Sequence, residues 1–267
     1  MNTVKRIRDA AEAIQTADAL LVTAGAGMGV DSGLPDFRGK QGFWRAYPAI
    51  ANLGLSFEEI ADPEWFTKDP HLAWAFYGHR LDLYRETTPH QGFIQLLQIG
   101  KSKPHGYFVF TSNVDGQFQK AGFLPERIVE CHGSIHHFQC TESCTDAIWD
   151  AGGEAVRIEQ STFRARDPLP KCRKCAALAR PNILMFGDWF WLGCRTEAQH
   201  QRFAGWLAGY GSLGEGGALC VGLRKSFRLA RLFTSHSSPR SSTSGSTSSK
   251  GRGLPHLFYV TSRRPGS

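Results

Sequence analysis

Apolar residues recur along this chain with two different periods. Residues 4–17 set Val4, Ile7, Ala11 and Ile14 along one face at helical spacing, which predicts an amphipathic helix. The run that follows, ALLVTA at residues 19–24, is apolar and predicts a buried strand. From residue 42 to 86 the pattern is helical and aromatic-rich, as in PEWF and HLAWAFYGHRLDLY. Further strands are predicted at YFVFTSN (107–113), at RIVECHGS with its end at His132, at NILMFGD (182–188) and at GALCVG (217–222). Apolar strands alternating with helices predict a doubly wound α/β sheet. Ligands of such sheets sit at the carboxyl ends of the strands. The loop after LLVTA, the SNVD after YFVFT and the HGS after IVEC all lie at such ends, so they are expected to converge on one crevice. Residues 236–253, HSSPRSSTSGSTSSKGRG, are low-complexity and should not form a core.

With 267 residues, 41% of them hydrophobic, the chain suffices for one large domain or one domain with a small insertion. No apolar run approaches the roughly 18 residues of a membrane span. The first 21 residues mix acids and bases into their apolar positions, unlike a signal peptide. A soluble, cytoplasmic protein with no membrane partner is expected. The net charge of +7 is a local property. No acid follows Glu215, and residues 221–267 hold nine bases, whereas residues 1–220 hold 22 bases and 24 acids, a net of −2. The basicity belongs to the tail, so nucleic acid is not indicated as a partner.

Seven cysteines, an odd count, argue against a disulfide framework. Four fall into two close pairs, Cys140-x3-Cys144 and Cys172-x2-Cys175, with 27 residues between them. Four thiolates so arranged fit one closed, tetrahedral structural Zn2+ site. A nucleic-acid-binding zinc ribbon is the alternative for this module alone. The nearby Arg164, Arg166, Lys171, Arg173 and Lys174 allow it without demanding it.

The stretch GAGMGVDSGLPDFRG (25–39) follows the first strand. Gly25, Gly27 and Gly29 let backbone N–H groups approach a diphosphate. A dinucleotide fingerprint would place another glycine where Val30 stands, so the glycines alone decide little between a nucleotide loop and a tight turn. The stretch as a whole resembles the sirtuin signature. TSNVDGQFQKAG (111–122) resembles that family's Thr-x-Asn-Ile-Asp motif, ECHGSI (130–135) its catalytic His-Gly, and RPNILMFGD (180–188) its Arg-Pro-x-x-x-x-Phe-Gly-Glu. The motifs occur in family order over residues 1 to about 190.

The resemblance implies an NAD-dependent protein-lysine deacylase that uses NAD as co-substrate and acts on acylated-lysine proteins or peptides. It implies a Rossmann-like parallel sheet with a small zinc-binding and helical domain inserted. The catalytic region would be residues 1–220. Its large Rossmann-like portion would comprise residues 1–45, 87–136 and 180–220, its helical portion residues 46–86 and its zinc module residues 137–179. In sirtuins the acyl-lysine oxygen attacks the ribose carbon as nicotinamide leaves, and a histidine then activates the ribose hydroxyl. His132, in a glycine-flanked turn after a strand, suits that general base. By resemblance Asn113 and Asp115 position ribose and nicotinamide, and Gly25, Ala26, Gly27 and Ser112 contact the cofactor. Phe37 shields the reacting carbon, and Asp36 and Arg38 order the loop. The family's usual glutamine is replaced by Ser112 and its loop serine by Gly29. NAD hydrolysis or ADP-ribosyl transfer would use the same ribose carbon, and an inactive binding module is the non-enzymatic alternative.

Tyr77 and Arg80 lie three apart, on one helical face. A phenol and a guanidinium together can bind a carboxylate. The same spacing occurs in sirtuins that remove succinyl or malonyl groups, and Ala49 matches a small residue that widens their acyl pocket. Core packing of Tyr77 with a surface ion pair for Arg80 is the alternative. After the strand at 217–222 the family's Gly-Thr-Ser nucleotide turn is not recognisable, for the chain reads Leu223-Arg224-Lys225-Ser226. Residues 221–267 are expected to be a disordered basic tail, the sheet edge beyond the strand being left open. A tail acquired by this lineage and a frameshift near codon 221 both explain the change. Its abruptness in mid-domain favours the frameshift.

Overall fold

The computed structural model describes residues 3–35, 40–211, 218–223 and 228–231. The chain opens with helix α1 (Thr3–Thr16) and strand β1 (Ala19–Ala24), followed by a single turn, α2 (Gly27–Val30). Five helices come next: α3 (Lys40–Ala46), α4 (Pro48–Asn52), α5 (Phe57–Ile60), α6 (Trp65–Lys68) and α7 (Pro70–Glu86). Helix α8 (Gln91–Lys101) leads into β2 (Tyr107–Thr111), α9 (Gln117–Lys120) and β3 (Ile128–Glu130). Then come β4 (Gly133–Cys140), β5 (Trp149–Asp150), β6 (Ile158–Glu159), β7 (Arg164–Ala165) and β8 (Ala179–Ile183). The last elements are α10 (Cys194–Gly211), β9 (Ala218–Leu223) and β10 (Arg228–Arg231).

The main sheet has the order β10-β9-β1-β2-β3. Strands β9, β1, β2 and β3 are mutually parallel, so their carboxyl ends face one crevice, as the strand pattern predicts. One apolar cluster fills the face between this sheet and its helices, with Leu20, Val22, Phe93, Val109 and Phe118 at its centre. On the other face Phe203 and Trp206 of α10 lie against Phe108. Helix α1 forms where its periodicity predicts, yet only Ala13 and Ile14 pack against the core, while Val4 and Ile7 are exposed.

A second cluster gathers the aromatic residues of α3–α7 against β4 and β8. Trp74, Tyr77 and Phe76 of α7 are fully buried there, and Trp74 donates its indole N–H to the Ala179 carbonyl at 3.1 Å. Asp69 caps α7 by accepting from Leu72 N, with Pro70 at the first helical position.

Two expectations are corrected. The strand expected at 182–188 lies earlier, at Ala179–Ile183, paired antiparallel with β4. The chain leaves it because Gly187 adopts φ 69° and the Asp188 carboxylate turns back onto Arg180 and the Met185 amide. The sheet edge expected to lie open beyond the strand at 217–222 is instead paired. Strand β9 runs through Leu223, and Arg228–Arg231 pairs antiparallel along its far side, so that edge is covered. The pairing satisfies the outward backbone groups of an apolar strand that would otherwise stay open. Arg224, Lys225, Ser226 and the low-complexity stretch 236–253 lie outside the described residues.

Candidate active site

The glycine loop is tied to the neighbouring strand end. Gly25 accepts through its carbonyl from Met28 N at 2.8 Å and from Asn113 Nδ2 at 3.0 Å. Asn113 is itself set by its amide donating to Thr111 Oγ1 at 3.0 Å, and Ser112 N donates to the Ala24 carbonyl at 3.1 Å. Gly29 is buried, and a Cβ there would meet Leu34 at 2.8 Å, so close packing of the turn explains this glycine without a ligand.

His132 stands exposed in the turn between β3 and β4. Its carbonyl accepts from Leu184 N at 2.9 Å, and Cys131 N donates to Thr111 O at 2.9 Å. Gly133 has φ 78°, and a Cβ on it would come within 2.1 Å of the Asn182 carbonyl, so only glycine lets the turn close against β8. On the outer side, α10 holds Glu130. Arg195 pairs with its carboxylate at 2.5 Å, Thr196 Oγ1 donates to its carbonyl at 3.0 Å, and Gln199 Oε1 accepts from its amide at 3.0 Å.

A cavity of about 540 Å³ joins these elements. Its wall includes Ala26, Ser112, Asn113, Asp115 and His132, together with Phe57 and the exposed Leu184 and Phe186. Its floor holds Tyr77, Arg80 and Tyr84, all buried. Arg80 donates from Nε and Nη2 to Tyr84 Oη at 3.2 and 3.0 Å, and its guanidinium lies over the rings of Phe76 and Tyr77. The Tyr77 hydroxyl is buried with no hydrogen-bond partner among the described residues. Burial holds the Tyr77 phenol well above its ordinary value, opposed in part by Arg80. Asp115 is 8% exposed, and burial pushes its carboxyl up to about 6, against the hydrogen bond from Gln117 N and helped by the charge of Glu130. Ala49 packs against the helical cluster and is not on the cavity wall. Asp36, Phe37 and Arg38 lie outside the described residues. A second, shallow cavity between Lys103–Gly106, Arg127 and Trp206 lies at the amino end of β2, away from these groups.

The Sir2 family profile matches residues 25–201. The chain belongs to the Sir2 family. The NAD-dependent protein deacylase of Thermococcus kodakarensis is 35% identical over 182 residues, covering 67% of this chain and 63% of the relative. That of Aquifex aeolicus is 34% identical over 169 residues, covering 63% and 62%. A solved Sir2 homologue in complex with ADP-ribose is 29% identical with a TM-score of 0.54, covering 70% of this chain and 65% of that one. The chain thus spans less than two thirds of the length of these relatives. The profile match stops before the change of composition at Val221.

As a sirtuin, the chain carries a four-cysteine centre. The sulfurs of Cys140, Cys144, Cys172 and Cys175 lie within 4.8 Å of one another, with Cys140–Cys175 and Cys144–Cys172 at 3.6 Å. Tetrahedral Zn–S bonds of about 2.3 Å require sulfurs about 3.8 Å apart. The donor set therefore fits one structural Zn2+ with no position left for a substrate.

Several residues of the sirtuin site escape sequence reasoning. Tyr84, four residues after Arg80, was detectable from helical spacing alone. Glu130 is an acid inside an apolar strand, itself a signal of a buried pair. His136, whose Nε2 meets the Asp115 carbonyl at 2.9 Å, and Met185 of the cavity wall carry no such signal.

Proposed function

We propose that this sirtuin is an NAD-dependent protein-lysine deacylase that accepts acyl groups ending in a carboxylate. The reading is carried by one cavity that holds the exposed His132 at its wall and the buried Tyr77–Arg80 pair at its floor. NAD, as co-substrate, would supply the activated ribose carbon. Ala26 and its flanking glycines would lie against the diphosphate, and Asn113 and Asp115 against ribose and nicotinamide. His132 would take the proton of a ribose hydroxyl. Tyr77 Oη and the Arg80 guanidinium would receive the distal carboxylate of a succinyl- or malonyl-lysine.

Two measurements test it. Incubation with NAD and succinyl- or acetyl-peptide should release O-acyl-ADP-ribose, detected by mass spectrometry. Free ADP-ribose or a modified protein would support hydrolysis or ADP-ribosyl transfer instead, and no NAD-dependent product would support a binding module. Arg80→Met should lower kcat/KM for the succinyl peptide on the order of 10–100-fold, the worth of one hydrogen-bonded charge, and the acetyl peptide far less. Equal losses on both peptides would remove the acidic-acyl assignment.

A further inference from the structure

Strand β3 is the edge of the main sheet, and Glu130 is its last residue, two before His132. An edge residue needs partners for its outward amide and carbonyl. Here a helix provides them from its side chains. Gln199 Oε1 accepts from the Glu130 amide, Thr196 Oγ1 donates to the Glu130 carbonyl, and Arg195 Nη2 and Gln199 Nε2 donate to carboxylate Oε2 at 2.5 and 3.4 Å. Three side chains, at positions i, i+1 and i+4 of α10, are committed to one residue. Docking of α10 does not require this, since Phe203 and Trp206 already pack against Phe108. Nor is net stability a sufficient reason, because a buried ion pair gains little over apolar packing. What the arrangement fixes is position. Strand β2 holds the turn through Cys131, and the chain after β8 holds it through His132 itself, so among the described residues it is α10 that grips residue 130 from outside.

We propose that Arg195, Thr196 and Gln199 are positioning residues which act through Glu130 to fix the turn that presents His132. The proposal rests on the deacylase reading for its consequence in turnover, but not for its geometry. Displacing a general base by about 1 Å costs on the order of 100-fold in rate. The clamp also holds a charge: the Glu130 carboxylate faces Asp115, on which Arg80, Tyr84 and the Gln117 amide also bear, and His136 and His137 stand on the adjoining strand.

The test uses the full chain with Arg195→Met, Arg195→Lys and Thr196→Val, the last removing only the hydroxyl with little change of volume. Turnover is read as kcat and KM separately. The His132 ring signal is followed by NMR and assigned through His132→Ala. The expected result is a fall in kcat of about 100-fold for Arg195→Met with KM for peptide and NAD within about twofold, and partial rescue by lysine. The His132 signal should shift or broaden in Arg195→Met and return toward wild type in Arg195→Lys. If Arg195→Met fails to fold, Thr196→Val gives the same readouts at smaller size. An unmoved His132 signal in a folded Arg195→Met, or in Thr196→Val where that variant stands in, overturns the proposal whether or not kcat falls. If no NAD-dependent product forms with any chain, the function reading fails while the ring signal still decides the clamp.

Discussion

Asp115 is the residue whose environment most directly sets a pH dependence. Its carboxyl is raised to about 6 by burial, above the ordinary value near 4. Between those values the folded chain keeps a proton that the unfolded chain has lost. Stability therefore falls as pH rises through that window and stays lower above it. Asn at this position carries no charge to bury. Asp115→Asn should melt higher than wild type at pH 7.5, by an amount on the order of 1–3 kcal/mol, and the two should converge near pH 4. Turnover should fall in the same variant, because the carboxylate would be lost from the site. A lower melting temperature at pH 7.5 would show that burial is not what governs Asp115. At this scale the sequence was legible where a residue's chemistry is local, as in the His132 turn. It was not legible where the role depends on what packs above it. Tyr77 and Arg80 read in the sequence either as a carboxylate-binding pair or as a core tyrosine with a surface ion pair; the fold buries both side chains beneath one cavity.

Among the elements, the cysteine-bearing loops depend most on something beyond packing. Strands β5, β6 and β7 have two residues each, too short to hold a module by ladder bonds alone. The four sulfurs draw the start of the module, Cys140, to its far end, Cys175. Removing zinc with a strong chelator should expose residues 141–176 to limited proteolysis while cutting elsewhere changes little, and added Zn2+ should restore protection. Cleavage spread evenly over the chain would mean that the metal supports the whole fold. Long-range contacts also explain one misplaced strand. NILMFGD is apolar enough to read as a strand, but pairing with β4 begins at Ala179 and the buried Arg180–Asp188 pair, at 2.7 Å, bends the chain away after Ile183. Apolar content marked the segment; an ion pair closing eight residues of chain set where it stops.

For the molecule as a whole, parallel pairing matters most at its end. Ala24 of β1 lies opposite Leu223 of β9, so β9 ends level with the strand that leads into Gly25. A frameshift there would strike the second half of the NAD site. Translating the coding DNA in the other two frames should recover a Gly-Thr-Ser-like turn after Val221. The protein expressed with that frame restored should then bind NAD more tightly than this chain, measured by calorimetry. Absence of such a turn in both frames would leave the tail as a native feature. The parallel core was legible in the sequence because each strand announces itself by an apolar run. The pairing of Arg228–Arg231 was not, since a short strand rich in arginine has no pattern of its own and exists through its neighbour. That strand has a further effect. With α10 side chains occupying one border of the sheet, β10 forms the other, and it begins and ends with arginine. A second copy adding a strand at that border would meet only four residues of backbone, and an edge strand that short offers few groups to template another chain.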